Sequence, residues 1–331
     1  MKTIRQQPRR PMFIGLLFTF AITTTVLACQ VPVFRYALER WSPDQYQVVV
    51  LFAGKLDNDS LNAIGSLTKE TPAPDSPMLR LIDVTETNDD MAKSLRKKYA
   101  VGNAPVMVAL YPASYRGSFD QVAHACSVSE SNVQQIVNSP ARQEMVKHLT
   151  DGDSAVWVLL ESGDRAKDEA ALKLLQEQLA KDTAWLALPS PEELEIKPEI
   201  LETAKIKLRI SFSVISVRRD DPQEKFLVDC LLNSEPDLQS FDEPIAFPVF
   251  GRGRVLYALV GQGIAADTIR SASSFMVGPC SCQVKEQNPG FDLLLRCDWD
   301  AAVGETFISS PLPGAAAEPK LLTIPPGRSS R

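Results

Sequence analysis

The stretch 79-LRLIDVTETNDDMAKSLRKKYAVGNAPVMVALY-111 decides the fold of this 331-residue chain. Residues 78–84, MLRLIDV, have the apolar composition of a strand. Residues 88–99 follow with helical spacing, Met91, Leu95 and Tyr99 falling at i, i+4 and i+8, and Asn88 or Asp89 stands ready as the cap. Asn103-Ala104-Pro105 closes the connection, and residues 106–111, VMVALY, read as the next strand. Working outward, residues 46–52, YQVVVLF, are apolar and β-branched apart from Gln47, as a strand buried on both faces should be. Residues 56–69 can form a helix before it reaches 78, and residues 132–149 read as a closing helix. Strands alternating with helices imply a sheet with parallel strands.

The same order restarts at Asp151-Gly152-Asp153. Residues 155–160, AVWVLL, read as a strand, and residues 167–186 as a helix with Leu172, Leu175, Leu179 and Leu186 on one stripe. Residues 206–217 read as a long strand: Ile206, Leu208, Ile210, Phe212 and Val214 on one face, Lys207, Arg209, Ser211 and Ser213 on the other. The alternation slips at Ile215-Ser216, which marks a bend or an end. Residues 248–250, the turn Gly251-Arg252-Gly253-Arg254 and residues 255–260 read as strand, turn, strand, with a helix at 265–276. After 300 the periodicity is lost, and the Pro-rich residues 311–331 have the composition of a disordered tail.

Two stretches resemble thioredoxin-fold domains. In the first, a strand ends in Asp83, a short acidic turn leads to a helix ending Lys98-Tyr99-Ala100-Val101, and Pro105 opens a strand. In the second, PVFGRGRVLYALVGQGIAADTIRSASSFM resembles the last hairpin and helix of that family. The resemblance implies an α/β chain of two thioredoxin-like three-layer domains, at 45–150 and 151–310. Thioredoxins carry Cys-x-x-Cys after the first strand, where the helix start lowers a thiol pKa. Here the corresponding turns read Ala53-Gly54-Lys55-Leu56 and Ser162-Gly163-Asp164-Arg165, without a cysteine. Dithiol activity is therefore not expected at either turn. The family also implies a cis Pro105 shaping a groove, against the plain alternative of a trans proline starting a strand.

The N-terminus carries an address. Residues 1–10 hold Lys2, Arg5, Arg9 and Arg10 and no acid, and residues 12–28 carry no charge. A basic segment, an apolar segment and a small residue make an export signal. Val26-Leu27-Ala28-Cys29 resembles a bacterial lipoprotein signal, which implies cleavage after residue 28 and lipid attachment at Cys29. The alternative is an uncleaved anchor, with 12–28 at the low edge of what spans a bilayer. Both put the remainder outside the cytoplasm, facing the periplasm. Arg9-Arg10 also resembles a twin-arginine signal, though a plain basic segment explains it as well. Residues 29–44 then form the lipidated docking segment, with Phe34, Ala37 and Leu38 on one helical face; so short a tether places the first domain close to the membrane. The whole chain also resembles a group of planctomycete and verrucomicrobial envelope proteins, which implies a location and no activity.

Composition excludes some classes. A net charge of −6 argues against nucleic acid as partner, and no cofactor is expected. Two histidines, His124 and His148, leave little for a histidine-built metal site, and both suit surface or helix-face positions. Removing Cys29 leaves five cysteines, an odd number that excludes a full disulfide framework. Cys126, Cys230 and Cys297 read as packing residues, with Cys230 suited to a buried strand.

Gly278-Pro279-Cys280-Ser281-Cys282 is the pointed motif. If Pro279 opens a helix, Cys280 and Cys282 sit in its first turn, where thiolates are favoured. Three readings stand: a packed turn, a redox pair, or a soft site for Cu(I) or Zn. Two thiolates are too few for tetrahedral zinc. The expectation is a membrane-tethered, non-enzymatic interaction module with an envelope protein partner. Its rival is a thiol–disulfide or copper-handling protein acting through Cys280 and Cys282.

Overall fold

The computed structural model describes residues 30–69, 77–115, 121–194, 196–280 and 284–304. Helix α1 (Val33–Arg40) precedes the first unit, whose order is β1 (Gln47–Phe52), α2 (Asn58–Lys69), β2 (Met78–Asp83), α3 (Asp90–Tyr99), β3 (Val106–Leu110), β4 (Val122–Ser127), α4 (Glu130–Val137) and α5 (Pro140–Thr150). The second unit runs β5 (Ala155–Glu161), α6 (Arg165–Trp185), α7 (Pro198–Thr203), β6 (Phe212–Arg218), α8 (Lys225–Leu232), β7 (Ile245–Phe250), β8 (Arg254–Val255), β9 (Leu259–Val260), α9 (Ala266–Val277), β10 (Phe291–Asp292) and α10 (Trp299–Val303).

The first sheet has the order β2-β1-β3-β4, with β1 and β2 parallel and the other pairs antiparallel. The second repeats it: β6 lies parallel to β5, and β7 antiparallel to β5, with β8 and β9 both on the far side of β7. This is the thioredoxin strand order twice over, in an α/β chain. Period-2 alternation sorts each sheet's residues between two cores. Val48 and Val50 join Val156, Val158 and Leu160 in one large core shared by the two units, lined also by Phe226 and Leu231 of α8. Val49 and Leu51 face a small core under α3. Ala155, Trp157 and Leu159 face α6 and α9.

Several expectations need correction. The closing helix of 132–149 is two helices, because Pro140 opens α5 after an extended Asn138. Strand β4 was hidden by its His, Ala and Ser content and by a register shift at Ala109/Leu110. The strand read at 206–217 begins only at Phe212. Residues 206–211 run beside the entry to β5: Ser154 N donates to Ser211 O at 2.7 Å, Arg209 reaches Asp153 Oδ1 at 3.1 Å, and Ser154 Oγ donates to Arg209 O at 2.8 Å. The slip at Ile215 reflects burial on both faces, Phe212 and Val214 toward one core, Ile215 and Val217 toward the other. Cys230 lies in helix α8, not a strand; a short apolar run does not by itself tell the two apart. His124 is buried on β4, not at a surface, with Nδ1 2.7 Å from Asp229 Oδ2 of α8.

Helix α1 docks, and its target is the second unit. Val33 through Glu39 are all buried. Pro32 bridges Pro279, Val33 N donates to Gly278 O at 3.0 Å, and Arg35 Nη1 donates to Ile206 O at 2.8 Å. Gly251, at φ +61°, makes this fit possible: a Cβ there would stand 2.6 Å from Ala37 Cβ. Helix α1 therefore packs into the second unit's core rather than against the first unit alone. Residues 1–29 and the tail of 311–331 lie outside the described residues, Cys29 among them. No helix among the described residues is long and apolar enough to cross a membrane.

Candidate functional site

In both units the sheet brings a strand-to-helix turn next to the loop that precedes the third strand. In the first unit that turn is Ala53-Gly54-Lys55-Leu56. Gly54 takes φ +76° and its N–H donates to both Asp83 carboxylate oxygens at 3.1 Å. The Thr85 hydroxyl and amide also donate to Asp83, which holds that carboxyl below the usual range. Pro105 stands immediately before β3 with a trans peptide bond, as no cis bond occurs among the described residues. The cis alternative for Pro105 is therefore not taken up.

The second unit's turn opens on a cleft of about 550 Å³, lined by Glu161 at the end of β5, Ser162 and Gly163, the first turns of α6 and Arg218, Arg219 and Asp220 after β6. It lies outside the carboxyl ends of two parallel strands, where α/β sheets leave a crevice. The head of α6 is occupied by the chain's own carboxylates. Asp164 caps it, accepting from Ala166 N at 3.0 Å and Lys167 N at 3.3 Å. Asp168, buried, turns back and accepts from Ser162 N at 2.7 Å and Gly163 N at 3.0 Å. Gly163 at φ +91° lets those two amides converge. The turn's own amides are thus satisfied by a buried carboxylate of the helix that follows it.

The charges around the cleft are mostly tied. Arg218 grips Asp220 through two nitrogens at 2.9 and 2.8 Å, which raises the one pKa and lowers the other. Arg165 reaches Glu169 at 2.6 Å. Arg219 donates to Phe241 O at 2.7 Å and Glu243 O at 2.6 Å, pinning the loop that leads into β7. Burial lowers the pKa of Arg219, opposed by Asp242 and Asp168. Burial, then repulsion from Asp168, raises the Glu161 carboxyl, with Arg218 opposing. The arrangement can bind and orient polar groups; the turn itself supplies no thiol. The turn was readable from strand and helix register, but Asp168 and Arg219 were not, because only the fold brings them to it.

The other sequence candidates lie elsewhere. Pro279 opens no helix; it pairs in an isolated bridge with Pro32. Cys280 is buried at 1% exposure in the core beneath α1 and α9, and its N–H donates to Val31 O at 2.9 Å. Cys282 lies outside the described residues. Cys126 and Cys230 are free thiols, and burial pushes both up, Cys126 to about 12. Among the described residues no group of three or more His, Cys, Asp or Glu could hold a metal ion. His148 sits on the exposed side of α5 near Asp153 and Ser213, at 3.1 and 3.0 Å from Nδ1.

Comparison with known proteins adds little. No family model matches the chain, and no curated protein matches it. Among solved structures it is similar to one titled "Crystal structure of the bb fragment of ERp72", at 17% identity, covering 70% of this chain and 88% of that one with a TM-score of 0.22. So low a score carries no weight here; the fold assignment rests on strand order.

Proposed function

We propose that this chain is a membrane-tethered, non-catalytic thioredoxin-like module of the cell envelope, held through Cys29 and engaging a protein partner at the α6 cleft. What carries the reading is the second unit's turn: Asp168 occupies the amides of Ser162 and Gly163. A turn built this way presents a fixed polar surface and no nucleophilic sulfur. Supporting the tether is the resemblance of Val26-Leu27-Ala28-Cys29 to a lipoprotein signal after an uncharged run. Docking of α1 into the second unit then leaves only the few residues before Val31 between lipid and folded core. The rival thiol reading would have to act through Cys280, which is buried beside the Pro32–Pro279 bridge.

The test is fractionation of cells expressing the full chain with labelled palmitate. Wild-type protein is expected in the membrane fraction, labelled, with a mature chain beginning at residue 29. Cys29→Ser should lose the label and the cleavage. A wild-type chain that stays unlabelled, or that is cleaved elsewhere, contradicts the reading.

A further inference from the structure

We infer that a second cleft, of about 250 Å³ on the seam between the two units, binds a quaternary organic ammonium, with Glu235 as its counter-charge among aromatic walls. Both units build it. Tyr115 comes from the segment after β3, Glu235 follows α8, Phe247 lies on β7, Tyr257 stands between β8 and β9, and Phe291 lies on β10. The walls are held by contacts of their own. The Tyr115 hydroxyl donates to Ser234 O at 2.8 Å, one residue before Glu235, and its ring leans on Phe291 with centroids 5.0 Å apart. Phe291 pairs with Val255 across the ladder. Gly290, at φ +103°, lets the two backbones close in, since a Cβ there would stand 1.9 Å from Val255 O. Phe247 and Leu256 are buried and add apolar lining.

The charge of the cleft is one-sided. Glu235 is the one charged side chain in its lining, and among the described residues it pairs with no cation. Burial raises its carboxyl, the Asp237 carboxylate adds to this, and the Ala258 amide opposes it. Arg254, whose charge acts on the Tyr115 hydroxyl, is already held by Asp292 at 3.1 Å and donates to Asn288 O at 2.8 Å. A half-buried carboxylate without a counter-charge is costly, and a cation entering the cleft removes that cost. Tyr and Phe rings favour a cation that has shed its water. The kind of cation follows from the acceptors. The Tyr115 hydroxyl is committed to Ser234 O, so little beyond the carboxylate remains for the three N–H donors of a primary ammonium. A quaternary head has no N–H and needs only the charge and the rings. The cleft is smaller than the roughly 300–1,000 Å³ usual for drug-sized ligands, so it suits such a head and little more. The inference stands apart from the reading of the α6 cleft and of Cys29, none of whose residues lines this site.

The test is calorimetric titration of the full chain in detergent with three probes: choline, its uncharged isostere 3,3-dimethylbutan-1-ol, and the primary amine ethanolamine. Choline should bind saturably, and the other two about tenfold more weakly or worse. Glu235→Gln keeps the size of the side chain and should weaken choline about tenfold while leaving the isostere unchanged. Tyr257→Leu keeps an apolar wall without the ring and should weaken choline several-fold. Thermal melting checks that both variants fold, and the comparison of probes on wild type needs no substitution. Isostere or ethanolamine binding as tight as choline, or no saturable choline binding up to about 50 mM, overturns the inference. So does unchanged choline affinity in a folded Glu235→Gln or Tyr257→Leu.

Discussion

His124 was the residue whose role the sequence hid best. An isolated histidine in a run of Ala, Cys and Ser gives no pattern, yet the fold buries it edge-on to Phe226 and joins it to Asp229 across the two units. Burial alone would push the Asp229 carboxyl up, but hydrogen bonds from His124 and Lys225 bring it below its ordinary value. A carboxyl whose folded pKa is depressed adds stability at pH above its unfolded value, about 3.9, and loses it as pH falls through the folded one. Stability measured as a denaturant midpoint should therefore fall on acidification below about pH 4. In Asp229→Asn that part of the slope should be missing, and a slope unchanged by the substitution would remove this role from the pair. Arg142 is the opposite case: burial outweighs the carboxylate of Glu224 and lowers its pKa to about 10. It is buried over Phe226 and donates to Ile136 O at 3.1 Å and Leu294 O at 3.0 Å, tying α4 to the segment before α10.

At the scale of elements, legibility followed locality. β1, β2, α3, β3, β5, α6 and α9 each carry their own periodicity, so their residues announce them. β4 and α8 do not, because each is defined by the other: β4 has weak strand composition, and α8 is an apolar run until β4 and the shared core give it a face. The break before α5 turns on a single residue, Pro140, inside an otherwise continuous helical pattern. The cleft follows the same division. Its turn was readable at 162–165, whereas Glu161, Asp168 and Arg219 converge only through sheet order. Helix α1 announced its apolar face but not its target, since nothing in residues 30–41 names the β7–β8 turn. Phe34, at 3% exposure, packs in the second unit's core. Phe34→Ala should cost about 3–5 kcal/mol, read by denaturant melting with Trp157 in that same core as a fluorescent reporter. A loss under about 1 kcal/mol would mean that α1 rests on the unit without belonging to it.

At the scale of the whole molecule, two repeats of one topology share a core, and the linker between α1 and β1 is stitched to the second unit. Lys285 Nζ donates to Ser42 O at 2.6 Å and lies 2.9 Å from Asp44, while Asp292 takes both Lys285 and Arg254. The chain from Gln30 thus leads directly into the second unit, which is where the proposed tether at Cys29 would enter. As proposed above, this body binds and does not exchange disulfides. That proposal is met most directly by a thiol–disulfide turnover assay on the full chain, with a disulfide-bonded peptide and a reductant, beside the Cys280→Ser, Cys282→Ser double variant. A binding module gives turnover equal to the uncatalysed background for both proteins. Turnover above background in the wild type, lost in the double variant, would contradict it and establish the cysteine pair as the working site.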